Sequence, residues 1–139
     1  MKIVPLLLIA AVLIAGCIQQ PEHEFQIPIA VPLFMEVAWS SGEVSLLIQG
    51  NGTVSYLING EVQGKPIGVS EKVALQLAQA FYRDGFFDLP ATVPCESTPY
   101  TLTYKDFNRE HTVTYGDCLP PELEEVDDRL ASLRGAAKP

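Results

Sequence analysis

The sequence predicts an α+β fold: a two-layer domain in which an antiparallel sheet of about five strands carries two helices on one face. Three observations point there. Segments within 33–58 and 100–116 alternate apolar and polar residues with the period of a strand. Segments 71–84 and 121–134 repeat apolar residues at the three-and-four spacing of a helix. The alternating runs are joined by short Gly-, Asn- and Ser-bearing turns, which make antiparallel hairpins. Each hairpin then has one apolar face and each helix one apolar stripe, and stacking the two layers covers both.

The elements follow in chain order. Leu33–Trp39 places Leu33, Met35, Val37 and Trp39 on one side and Phe34, Glu36 and Ala38 on the other. Ser40–Glu43 is turn chemistry. Val44–Gln49 aligns Val44, Leu46 and Ile48, and the next run aligns Val54, Tyr56 and Ile58. A two-residue turn at Asn51-Gly52 would pair Ile48 with Ser55 and mix the faces. A three-residue loop, Gly50–Gly52, pairs Ile48 with Val54, Leu46 with Tyr56 and Val44 with Ile58, and needs Gly52 in the left-handed conformation.

Ser70 is placed to cap a helix over 71–84, closed by Gly85, with Val73, Leu77 and Phe81 as its buried stripe. Phe86-Phe87-Asp88-Leu89-Pro90 follows as core, and 90–99 is a proline-rich loop holding Cys95. Tyr100–Phe107 and Glu110–Gly116 form a second hairpin around Asn108-Arg109. Pairing 107 with 110 sets Tyr104 opposite Val113, Leu102 opposite Tyr115, and Asp106 opposite His111 as a surface ion pair of little energy. Pro120-Pro121 opens a last helix to about Arg134, ahead of Gly135, with Leu119, Leu123, Val126, Leu130 and Leu133 in one stripe. Its acids come early and Arg129 and Arg134 late, as the helix dipole favours.

The domain occupies 33–135, with a short tail at 136–139. The 139 residues suit one domain rather than two. The formal charge of −8 lacks the concentrated basic surface that nucleic acid requires, so no nucleic-acid partner is expected. Two histidines and three scattered cysteines leave little material for a metal site, and no metal or cofactor is expected.

The first residues form a separate unit. Of residues 1–17, 14 are hydrophobic; Lys2 precedes an apolar run from Ile3 to Ala15, which is 13 residues long. That is shorter than the ~20 residues of a bilayer-spanning helix and suits a secretory signal. It ends Ile14-Ala15-Gly16-Cys17, which resembles the lipobox of prokaryotic membrane lipoproteins. The resemblance implies cleavage before Cys17, fatty acyl chains such as palmitate on that cysteine, and a place on the extracytoplasmic face of the cell membrane. The other reading is an uncleaved anchor helix with an incidental cysteine. Residues 17–32 then hold the lipidated cysteine and an extended tether with Pro21, Pro28 and Pro32, on which His23 is read as solvated rather than ligating.

Lipid on Cys17 leaves Cys95 and Cys118, an even pair beside one hairpin in an oxidising compartment. They form either a disulfide, closing a loop worth roughly 3 kcal/mol, or two buried free thiols. Asn51-Gly52-Thr53 is a glycosylation sequon as well as turn chemistry.

The segments SSGEVSLLIQGNGTVSY, SEKVALQLAQAFYRDGFFDLP and TLTYKDFNREHTVTYGDCLPPELEEV, in this order, resemble small secreted prokaryotic domains of unknown function. They resemble more weakly the emfourin-type inhibitors of thermolysin-like metalloproteases, whose paired turn glycines are here Ser41-Gly42. Three function classes follow: a lipid-anchored module binding an extracytoplasmic protein or small molecule, a protease inhibitor, and an enzyme. The sequence lacks a Ser-His-Asp or Cys-His set and a phosphate loop, so a non-catalytic module is expected. Its expected contact surface is the turns 40–43 and 50–52.

Overall fold

A computed structural model describes residues 34–139. Seven strands form one sheet: β1 (Glu36–Ser41), β2 (Val44–Gln49), β3 (Thr53–Ile58), β4 (Glu61–Val62), β5 (Ile67–Gly68), β6 (Tyr100–Lys105) and β7 (Glu110–Tyr115). Its order is β4-β3-β2-β1-β6-β7, with β5 also beside β3, and all these pairings are antiparallel. Among these residues two α-helices, α1 (Glu71–Arg83) and α2 (Pro121–Ala137), and a short 3-10 turn at Phe86–Asp88 complete the α+β architecture. The strands exceed the five expected because β4 and β5 hold two residues each, too few to show a period. Asn59 at φ 51° and Gly60 at φ 80° make the tight turn between β3 and β4.

The first hairpin has the expected register: Ile48 faces Val54, Leu46 faces Tyr56 and Val44 faces Ile58. Gly52 sits at φ 90°, and a Cβ there would lie 2.3 Å from the Val69 carbonyl oxygen. Only glycine therefore fits at this contact between the loop and the approach to α1.

The second hairpin is shifted two residues from expectation. Leu102 pairs with Val113, Tyr104 with His111 and Lys105 with Glu110, leaving a four-residue loop over 106–109. A shift of two leaves every side chain on its face, so alternation alone cannot select between these registers. The Asp106 carboxylate selects it. It accepts the backbone N–H groups of Asn108 (2.7 Å) and Arg109 (3.0 Å), while the Asp106 N–H donates to the Arg109 carbonyl at 2.9 Å. Asp106 is thus buried in the turn rather than exposed against His111.

Strand β1 begins at Glu36 and Leu33 lies outside the described residues; Met35, Val37 and Trp39 are buried as expected. With Leu46, Ile48, Val54, Tyr56, Leu102, Tyr104, Val113 and Tyr115 they form the inner face of the sheet, packed in one core with both helices. The Ser70 side chain caps α1 by accepting the Val73 N–H at 3.3 Å. Leu77 and Phe81 of its expected stripe are buried and Val73 is half-buried against the core, and Ala74, Ala78 and Ala80 widen the buried face. The alanines join it because small side chains let a helix backbone approach the sheet. Helix α2 buries Leu123, Val126, Leu130 and Leu133 and runs through Gly135 to bury Ala137. The core contact at Ala137 outweighs the ~1 kcal/mol penalty of an internal glycine, so only Lys138 and Pro139 lie beyond it.

Both sheet edges are covered. β4 and β5 line β3, and on β7 Thr114 exchanges hydrogen bonds with Ala91 and Val93. The strand ends define two poles. Phe34, the 50–52 loop and the 106–109 loop lie at the entry pole; Ser41–Val44, Tyr100 and Tyr115–Cys118 lie at the distal pole. Six-residue strands separate them by about 20 Å.

A candidate binding cleft at the distal pole

The distal pole opens into a cleft of about 490 Å³. Strand alternation supplies its aromatic wall. Trp39 near the end of β1, Tyr100 at the start of β6 and Tyr115 at the end of β7 all line it, together with Tyr56 of β3. Trp39 and Tyr100 stack at 5.8 Å between ring centroids, and Tyr100 and Tyr115 meet at 5.3 Å. Ser41 and Val44 close one side, and Asp127 and Arg134 of α2 close another.

The polar groups form a chain. Trp39 Nε1 donates to the Tyr115 hydroxyl at 3.1 Å, and that hydroxyl donates to Asp127 at 3.0 Å. Burial first, then the negative charge of Asp127 and the hydrogen bond to it, push the Tyr115 phenol far above its ordinary value. It stays protonated and serves as a fixed donor and acceptor. The Arg134 guanidinium lies 4.3 Å from the Trp39 ring centroid, a cation–π contact, and makes no ion pair among the described residues. The cleft therefore offers flat apolar walls, one guanidinium, and the carboxylates of Asp117 and Asp127. Such a set suits recognition of a partly apolar ligand.

One margin of the cleft is fixed covalently. Cys95 and Cys118 form the disulfide, with Cα atoms 5.6 Å apart. Between them Gly116 is pressed beneath the 95–99 loop: a Cβ there would lie 1.9 Å from the Ser97 carbonyl oxygen. The bridge and this close approach hold Asp117 and Gly116 at the cleft margin.

The entry pole carries a second polar cluster. Asp106 accepts from the hydroxyls of Tyr104, at 2.8 Å, and Tyr82, besides its two backbone donors. Burial alone would raise its carboxyl, but these four donors outweigh that and hold it below the ordinary carboxylate value. Arg109 covers Tyr82 and Phe87 at 5.1 and 4.3 Å, and His111 Nε2 lies 2.9 Å from the Leu89 carbonyl oxygen. This cluster is saturated from within and closes the loop; it does not form an opening.

The expected contact turns are parted. Ser41 and Val44 line the cleft, whereas the 50–52 loop is at the other pole with Gly50 and Gly52 buried. One contact surface cannot include both, because β2 runs between them. Asn51 is exposed, and its side-chain oxygen accepts the Thr53 N–H at 3.0 Å, so it builds the turn. Cys17, His23 and the tether lie outside the described residues. Sequence reading missed the cleft because its members are scattered from 39 to 134. The usable signal was Trp39, Tyr100 and Tyr115 sharing an inner face at strand ends, with Arg134 late on the helical stripe side.

No protein-family model matches this chain, and no curated protein matches it.

Proposed function

We propose that the protein is a lipid-anchored, extracytoplasmic binding module, held to the cell membrane through Cys17, that engages a protein or small molecule in the distal cleft. The reading rests above all on one observation: an open, aromatic-walled cleft with charges of both signs lies at the pole opposite Phe34, where the tether joins the domain. The Ile14-Ala15-Gly16-Cys17 sequence supports the anchor.

The test is site-specific photo-crosslinking in intact cells. A benzophenone amino acid at Tyr100 is expected to capture one discrete partner or to be protected by a bound small molecule. The same probe at Thr112, on the opposite face of the sheet, is expected to do neither. Equal labelling from both sites, or no dependence of Tyr100 labelling on cell contents, overturns the cleft as the binding site. Mass spectrometry of the mature protein tests the anchor: Met1 retained in the native chain overturns it.

A further inference from the structure

Among the described residues, the largest exposed apolar side chains sit together at the entry pole. Phe34 is 62% exposed and Phe107 54% exposed, and their rings meet edge to face at 5.9 Å. Phe107 is the tip of the four-residue loop, which Asp106 holds rigid through two backbone N–H groups. Exposing an aromatic on a turn braced by hydrogen bonds is unexplained by folding, since the core is complete without it.

We propose that this pair is a foot that contacts the lipid surface, an inference that rests on the anchoring of Cys17. Two observations select lipid as the occupant. Only 16 residues separate Cys17 from Phe34, so the foot stays within about 55 Å of the anchored atom whatever the tether's path. At that range even weak contacts act at an effective concentration of roughly millimolar. Around the pair Lys105 and Arg109 offset the exposed Glu36 and Glu110, which leaves the carboxylate of Asp106 in the turn, while the whole chain carries −8. This is therefore a weakly charged spot on an acidic protein, and aromatic rings are favoured at the bilayer–water interface. Foot-down orientation points the distal cleft away from the bilayer.

The experiment uses the full lipidated chain in vesicles of ordinary or brominated phosphatidylcholine. Trp39 is the single tryptophan and sits toward the distal pole, so native emission should be nearly unchanged by bromine. In Phe107→Trp, the added emission should fall about twofold, as for a ring at the interface; circular dichroism confirms that the variant is folded. Protein that floats with the vesicles but shows no quenching of the new tryptophan overturns the foot and leaves the anchor standing. So does equal quenching of Trp39 in the native chain. Protein that does not float overturns both.

Discussion

At the residue scale, Asp106 has the most consequential environment. One carboxylate joins the 106–109 turn to Tyr104 of β6 and Tyr82 of α1. Removing it leaves the buried Tyr104 hydroxyl without its acceptor, a cost of about 1–3 kcal/mol, and unties the 106–109 turn by taking away the acceptor of the Asn108 and Arg109 N–H groups. Asp106→Ala should therefore lose about 3 kcal/mol in urea unfolding, and Asp106→Asn less. The pH dependence has two limbs. The carboxyl is held below its ordinary value, so its contribution is complete above about pH 4 and is lost as pH falls through the folded value. The Tyr82 phenol is pushed up to about 12, by burial first and then by Asp106. Its contribution is complete below about pH 10 and is lost as pH rises from there to about 12. Stability of Asp106→Asn should be flatter on both limbs, and the Tyr82 ring carbon signal should titrate at lower pH in that variant. This site was partly legible. Asp106 shares parity with Leu102 and Tyr104, which places it on the inner face. Its partner Tyr82 was not legible, because it comes from a helix 24 residues earlier and local spacing carries no such information.

At the scale of elements, the molecule depends on a few contacts that join one element to the next. Gly52 lets the β2–β3 loop meet the strand leading to α1, where its carbonyl accepts the Val69 N–H at 2.8 Å. Gly52→Ala combines a positive φ with a 2.3 Å clash against backbone. It should cost about 3 kcal/mol, read as a lower urea midpoint. The disulfide does similar work for the 95–118 segment. Replacing both cysteines with serine should lower stability by roughly 3 kcal/mol and shift Trp39 emission to longer wavelength, because the cleft margin at Gly116 and Asp117 loosens; unchanged emission would show that Gly116 alone holds it. The elements were legible where a face had to stay apolar. That requirement selected the three-residue loop at 50–52 from the two-residue alternative. It said nothing at 106–109, where both registers keep the same faces and a side-chain hydrogen bond decides. It found Leu77 and Phe81 of α1 but understated the width of the buried face, which Ala74, Ala78 and Ala80 extend.

At the scale of the whole molecule, the fold class followed from period and turn chemistry, while the strand order did not. Alternation finds hairpins, but it does not reveal that β1 and β6 are neighbours, which joins the two hairpins into one sheet. That adjacency governs how the chain is made. β1 is a central strand of the finished sheet and the first of its strands to be synthesised. One side is matched by β2 almost at once, yet Val37 must wait for Tyr104, 67 positions later. At ordinary elongation rates the wait is roughly 3 to 13 s, during which an apolar strand exposes an unpaired edge. Arrested nascent chains ending at residue 99 should accordingly stay sensitive to protease, and full-length chains released from the ribosome should not. Resistance in the shorter chains would mean that the first five strands and α1 fold alone. Otherwise a holding factor, or rapid export of the unfolded chain, must guard that edge until β6 arrives.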